Sequence, residues 1–95
     1  MPAIGVLTLE IRVEGSHSLK DKRQVVKGLK DRLRRKFNVS VSEIDYQDLW
    51  QRALVAVVTV SSDHAHGELV LQGVERDAVE VLGPQLVSAV VEWMA

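Results

Sequence analysis

Residues 7–37 read LTLEIRVEGSHSLKDKRQVVKGLKDRLRRKF and place two different hydrophobic periods one after the other. The first seven of them alternate between aliphatic and polar side chains, which predicts a strand with one buried and one wet face. Ser18 and Asp21 then have the spacing of a capping box, so we expect a helix to begin near Leu19. The apolar side of this helix, which runs to about residue 36, is formed by Leu19, Val26, Leu29, Leu33 and Phe37.

The rest of the chain adds a hairpin, a helix and a last strand. Residues 38–42 alternate again, and the β-rich run Trp50–Ser61 predicts a longer strand that a hairpin joins to them. Ser62-Asp63 can cap a second helix, and Gly83-Pro84 carries both residues that commonly end one. We expect the final strand at Leu86–Met94. The apolar side of the second helix is formed by Val70, Leu71, Val74, Ala78, Val81 and Leu82.

The predicted order is strand, helix, strand, strand, helix, strand. It is typical of a ferredoxin-like α+β domain, a two-layer sandwich with an antiparallel four-stranded sheet, and we expect residues 1–95 to form one such domain. Right-handed crossovers place both helices on one face of the sheet, so the other face stays open, and its mixed character is compatible with a homodimer. The residues expected on this open face are Thr8, Glu10, Arg12, Ser40, Val55, Val57, Thr59, Val90 and Glu92.

Composition restricts the class of protein. With 95 residues, 46 per cent hydrophobic and 26 per cent charged, the chain is typical of one small globular domain. It contains no cysteine, which excludes disulfides and thiolate metal sites. Its first apolar run carries Glu10 and Arg12, so neither a signal peptide nor a membrane span is predicted. We therefore expect a cytoplasmic protein with no membrane partner.

Charge is distributed unevenly along the chain. Residues 20–36 contain nine lysines or arginines and only two aspartates, whereas the remaining residues contain three arginines and eleven acidic residues. The net charge of −1 therefore conceals a local excess of positive charge on the first helix. Local fields rather than net charge should select the partners of such a chain.

Five of these cations recur at steps of three and four residues and occupy an arc of about 80° beside the apolar side of the helix. They are Lys20, Arg23, Lys27, Lys30 and Arg34, which we call the basic stripe. A stripe of this kind can contact successive phosphates, and together with Arg35 it forms the candidate nucleic-acid-binding set. The alternative is a solvated helix face, with or without pairing of its cations to acidic residues of the second helix such as Glu68, Glu75 and Glu80.

The predicted hairpin holds two of the four aromatic residues, Tyr46 and Trp50. An aromatic ring beside a cation can stack on an unpaired base, so Asp48, Trp50 and Arg52 form a weaker candidate site for binding a partner. Because aromatic residues are so few in this chain, we favour the interpretation that Trp50 covers an edge of the core.

No residue pattern in the chain is typical of catalysis. His64 and His66 are two residues apart on a predicted helix, so their rings point about 200° apart, and His17 lies in a distant loop. The sequence contains no nucleophile elbow, no phosphate-binding glycine loop and no helical zinc motif. We expect neither an enzyme nor a metal, cofactor or small-molecule substrate.

Three segments carry a family resemblance: SLKDKR at residues 18–23, RRKFNVSV at 34–41 and DLWQRA at 48–53. They resemble the YlxP-like family of small bacterial proteins of unknown function, and the likeness covers about residues 4–62. The resemblance implies the ferredoxin-like fold but no catalytic residues or cofactor. It also implies a genetic setting among translation and ribosome-maturation genes, which is an argument by association.

Two functions remain open at this point. The first is binding of structured RNA or a ribosomal particle through the basic stripe. The second is a protein-interaction module or homodimer that uses the basic helix or the open sheet face and binds no nucleic acid.

Overall fold

The computed structural model describes all residues from Met1 to Ala95. Its elements follow the predicted order: β1 (Ala3–Arg12), α1 (Leu19–Lys36), β2 (Ser40–Asp45), β3 (Arg52–Ser61), α2 (His64–Leu82) and β4 (Leu86–Trp93). A short 3-10 turn at Gly83–Gln85 joins α2 to β4. The strands form one antiparallel sheet in the order β2-β3-β1-β4. The fold is the ferredoxin-like sandwich that the sequence predicts.

Both helices begin where the capping signals predict. Ser18 Oγ accepts a hydrogen bond from the backbone N–H of Asp21 at 3.1 Å, and Asp63 Oδ1 accepts one from that of His66 at 2.7 Å. These bonds satisfy donors that have no partner inside the helix. Gly83, with a φ of +55°, ends α2 in a conformation that residues with a Cβ atom rarely adopt.

The core lies between one face of the sheet and the two helices. Leu7, Leu9 and Ile11 of β1 are fully buried, because β1 is a central strand with neighbours on both sides. Val55 and Val57 of β3 lie beside them. The helices close the core with seven buried side chains: Val26, Leu29, Leu33, Leu71, Val74, Ala78 and Leu82.

The prediction of the open sheet face is wrong for β3. Val55, Val57 and Thr59 point into the core. Val57 pairs with the buried Leu7, and residues paired across two strands share one face of the sheet. An error of one residue in parity exchanges the faces of a whole strand. The open face of the two central strands carries Ile4, Val6, Thr8 and Glu10 together with Leu54, Ala56, Val58 and Val60.

The edge strand β4 buries fewer residues than its alternation predicts. Ala89 and Trp93 pack against the core, whereas Val87 and Val91 of the same parity are exposed. Helix α2 lies mainly over β1 and leaves the outer margin of β4 uncovered.

Two glycines form the niche that holds Trp93. A Cβ atom on Gly5 would lie 2.7 Å from Trp93 Cζ3, and one on Gly67 would lie 3.2 Å from Trp93 Cη2. The first distance is shorter than van der Waals contact allows, so a side chain at residue 5 would displace the indole. The His64 ring lies 4.0 Å from the indole ring, measured between centroids.

Asp77 joins the two helices by ion pairs. Its carboxylate is nearly buried on α2 and accepts hydrogen bonds from Lys36 Nζ and from Arg32 Nε, each at 3.1 Å. The bond from Lys36 lowers the pKa of Asp77, the bond from Arg32 adds to this effect, and burial opposes both. Glu80 lies 3.6 Å from Arg32 at the exposed side of the same cluster.

We expect Asp77→Asn to lower the free energy of unfolding near neutral pH and to have little effect in strong acid. The pKa of Asp77 is lowered on folding, so its contribution is complete above the ordinary value of 3.8 and is lost as the pH falls toward the folded pKa. Urea unfolding of both proteins over this pH range measures the difference. Glu80→Gln is the control, because it removes only the exposed partner. A difference that stays constant into strong acid would contradict this account.

Candidate nucleic-acid interface

Helix α1 has three sides, which face the core, helix α2 and the edge strand β2. One side enters the core, and a second side faces α2 and carries Arg32 and Lys36. The third side carries the basic stripe and borders β2, as the contact between Arg34 and Val41 shows. Because β2 is an edge strand, nothing in the chain covers this third side.

The basic stripe stays open to solvent along most of its length. Four of its five residues are exposed, and Lys30 is half-buried. Lys27 Nζ donates to Asp31 Oδ2 at 2.8 Å, and Arg34 Nη2 donates to the backbone carbonyl of Val41 at 2.9 Å. The other three stripe residues form no ion pair with the chain, so their charges are free for a ligand.

A shallow groove of about 340 Å³ runs between the stripe and β2. The residues that line it are Arg23, Val26, Lys27, Lys30, Asp31, Arg34 and Glu43. Asp31 stays ionised here, because the hydrogen bond from Lys27 and the nearby charges of Arg34 and Arg35 lower its pKa against the effect of burial. Two acidic groups, Asp31 and Glu43, therefore offset part of the positive charge of the groove, and Glu43 also lies beside the ammonium of Lys22.

The pairing of the stripe with acidic residues of the second helix, which the solvated-face alternative allowed, is not formed in this structure. Of the three glutamates proposed for it, only Glu80 contacts α1, and its partner is Arg32, which lies outside the stripe. Glu68 lies 3.8 Å from His64 on its own helix. The ion pairs between the helices use cations from the other flank of α1, and the one ion pair of the stripe joins Lys27 to Asp31 on the same helix.

Arg35 is exposed but does not extend the stripe. It follows Arg34 by one residue, which rotates it by about 100° around the helix, away from β2. The structure thus brings five of the six candidate nucleic-acid-binding residues together and places the sixth on the outer surface of α1.

Lys22 is the main feature that the sequence interpretation missed. Its side chain is fully buried. Its ammonium donates to the backbone carbonyls of Tyr46 at 2.7 Å, Arg52 at 3.1 Å and Gln47 at 3.3 Å. Glu43 Oε2 lies 2.9 Å away without hydrogen-bond geometry, so three carbonyls accept the three protons and the carboxylate supplies the opposite charge.

A signal for this burial is present in the sequence. The apolar side of α1 has a step of seven residues from Leu19 to Val26, and Lys22 divides it into steps of three and four. A lysine in the middle of a core-facing row requires acceptors inside the protein, because an unpaired buried charge is very costly. Its partners are backbone carbonyls of a distant loop, which no side-chain pattern could identify.

The hairpin tip has a backbone conformation that directs the carbonyl of Tyr46 toward the ammonium of Lys22. Tyr46 has a φ of +63°, an uncommon value for a residue with a large side chain. Its carbonyl accepts from Lys22 and also from the N–H of Leu49 at 3.0 Å, while its own N–H donates to Asp45 Oδ1 at 2.7 Å. Lys22 thereby holds the hairpin tip beside the first turn of α1, at the Lys20 end of the stripe.

The weaker candidate set is only partly available to a partner. The Arg52 guanidinium lies 4.2 Å from the ring centre of Tyr46 and donates to Glu10 Oε1 at 2.6 Å. The bond to Glu10, followed by the interaction with Tyr46, raises the pKa of Arg52. Asp48 and Trp50 are exposed, so the favoured interpretation that Trp50 covers an edge of the core is wrong. β3 begins only at Arg52, and the buried side chain of Lys22 takes the place next to the hairpin.

The remaining chemistry-bearing residues do not converge. No group of three or more histidine, aspartate or glutamate side chains is arranged to hold a metal ion. Neither helix combines the length and the hydropathy that crossing a bilayer demands.

These features define a small ferredoxin-like α+β domain with a polycationic helix flank and a buried lysine under its hairpin. The chain belongs to the family described as "Protein of unknown function (DUF503)", whose model matches residues 4–89. The resemblance found in the three sequence segments is therefore confirmed.

A curated relative and two solved structures support this placement. "Uncharacterized protein YlxP" of Bacillus subtilis (strain 168) is 45% identical over 71 residues, which are 75% of this chain and 77% of the relative. The de novo designed protein Foldit4 matches with a TM-score of 0.62 at 10% identity over 100% of this chain and 98% of its own. The de novo designed protein LFR1 1 with ferredoxin fold matches with a TM-score of 0.51 at 14% identity over 99% and 84%. At these identities the two designs show the fold alone.

We expect Lys22→Met to lower the free energy of unfolding by about 3 kcal/mol, because it leaves the buried Oε2 atom of Glu43 and three part-buried carbonyls without their cation. Urea unfolding monitored by circular dichroism measures the change. Lys20→Met, which removes an exposed lysine two residues away, is the matched control and should change stability by less than about 0.5 kcal/mol. Equal unfolding midpoints for the two variants would show that the buried ammonium is not needed.

Proposed function

We propose that this chain is a noncatalytic binding protein that attaches to structured RNA, or to a ribosomal particle that exposes it, through the basic stripe. The observation that carries the proposal is that three of the five stripe residues form no ion pair with the chain and four of the five are exposed, whereas three other cations of α1 pair with acidic side chains. Free charge on one defined flank is what phosphate binding requires.

The geometry of the stripe suits a phosphate backbone. It extends over 15 residues of α1, which corresponds to about 21 Å of helix axis. Its members are neighbours at three- and four-residue steps, about 5–6 Å apart between Cβ atoms. Contacts of this kind orient a protein on nucleic acid and carry no base specificity. Recognition would then depend on the shape of the RNA.

The open sheet face supports backbone contact rather than base stacking. The open positions of the two central strands carry mainly aliphatic side chains, with Thr8 and the Glu10–Arg52 ion pair, and no aromatic residue. Single-stranded RNA is usually bound on a sheet through aromatic rings. Trp50 is the one exposed indole of the chain, and Lys22 holds the hairpin that carries it beside the first turn of α1.

The choice of RNA rests on the genetic setting that the family resemblance implies. That setting, among translation and ribosome-maturation genes, is an association. It favours RNA over DNA as the nucleic acid that the stripe binds. The electrostatic argument applies to both polymers.

We expect binding to structured RNA to weaken with salt at a log-log slope near −4. About five cations that replace counterions on phosphates produce a slope of this size. Fluorescence anisotropy with a labelled RNA hairpin over a range of potassium chloride concentrations measures it. A slope near zero would exclude the basic stripe as the binding surface.

We expect Lys27→Glu combined with Lys30→Glu to weaken RNA binding by more than about 10-fold, because two phosphate contacts become repulsive. The matched control is Arg12→Glu combined with Arg76→Glu, which changes net charge equally at exposed cations away from α1. The control should bind within about 3-fold of the unmodified chain. Equal losses in both variants would assign binding to net charge instead of the stripe.

A further inference from the structure

The open face of the sheet carries a contiguous apolar patch. Its members are Ile4, Val6, Leu54, Ala56, Val58, Val60 and Val90, which we call the open patch. Ile4 pairs with Val60 and Val6 pairs with Val58, so these side chains form adjacent rows on the two central strands. Val90 adjoins them from β4, opposite Thr8.

Neither helix covers the open patch, because both helices lie on the other face of the sheet. Val60 and Val90 are 57% and 54% exposed, and the other members are half-buried. Contiguous apolar surface of this kind on a soluble domain commonly marks an interaction site.

The charges of the open face lie mainly at one end of it. Glu10 and Arg52 form an ion pair there at 2.6 Å, with the exposed Arg12 beside them. Glu92 on β4 lies at the margin of the sheet, opposite Val6. A partner that covers the open patch therefore buries no unpaired charge at its centre.

We propose that the open patch binds the open patch of a second copy of this chain and forms a face-to-face dimer. Two sheets pack through flat apolar faces about 10 Å apart, and an isologous dimer requires the same surface on both copies. The open patch is apolar, and a second copy of the chain presents the same surface, so both conditions are met.

The size of the face agrees with this occupant. Four strands at about 4.8 Å spacing and about nine residues of 3.3 Å each outline roughly 19 by 30 Å, and the relief of the side chains adds to the projected area. The projected outline of about 570 Å² lies below the roughly 800 Å² that a standard interface removes from each partner, so the face corresponds to a dimer of low affinity.

The charge distribution favours this face over α1 as the dimer contact. A contact between two basic stripes would bring like charges together, whereas a dimer through the open patch leaves the stripes on its two outer surfaces. The dimer does not depend on RNA, so its failure and that of RNA binding are distinguishable.

Sedimentation equilibrium of the full chain without nucleic acid tests the proposal. The unmodified chain should form a dimer that persists in high salt, because its contact is apolar. Val58→Glu should weaken dimerisation by at least about 100-fold, since it places a charge at the centre of the interface. Val60→Glu, at the exposed end of β3, should weaken it by about 10-fold and keeps the test valid if Val58→Glu does not fold. Circular dichroism confirms the fold of each variant.

Val79→Glu is the matched control, because it places the same charge on an exposed valine of α2. It should dimerise like the unmodified chain. A chain that stays monomeric at about 100 µM would overturn the proposal. So would a dimer that high salt dissolves, or one that Val79→Glu weakens as strongly as Val60→Glu does.

Discussion

The ammonium of Lys22 is the constraint that organises this small domain. A charge without solvent access must be surrounded by acceptors, and here three carbonyls from the far end of a hairpin provide them. Because the acceptors are backbone atoms, the interaction fixes the path of the loop and not only the position of one side chain. The rotation of α1 about its axis is then set by two groups that lie on the same side of the helix, its buried apolar side chains and the buried Lys22.

The basic stripe follows from that rotation. With its core side fixed, α1 directs Arg32 and Lys36 toward Asp77 and leaves the opposite flank over the edge strand β2. The nine cations of the helix therefore have different surroundings. One binds the carbonyls of the hairpin, two form ion pairs with Asp77 of α2, and most of the others are exposed on the surface. The local excess of positive charge is a property of the folded helix face, which composition alone does not locate.

The sequence predicts the regular elements well because their signals are local. Periodicity and capping residues determine α1, and its bounds of residues 19 to 36 agree with the pattern. The faces of β3 were less predictable, since a nearly continuous run of small apolar residues has no alternation to set its parity. The stripe is visible from spacing, but the partners of Lys22 and the exposure of Trp50 depend on how a distant loop closes. They are tertiary properties with no periodic signature.

The glycine niche around Trp93 has an experimental consequence. The chain has two indoles, one half-buried between β4 and α2 and one exposed at the hairpin tip. Their emission should therefore report different events, the separation of β4 from α2 for Trp93 and the approach of a ligand to the hairpin for Trp50. Replacement of either one by phenylalanine leaves a single optical reporter, so occupancy of the surface and integrity of the core can be followed separately without an external label.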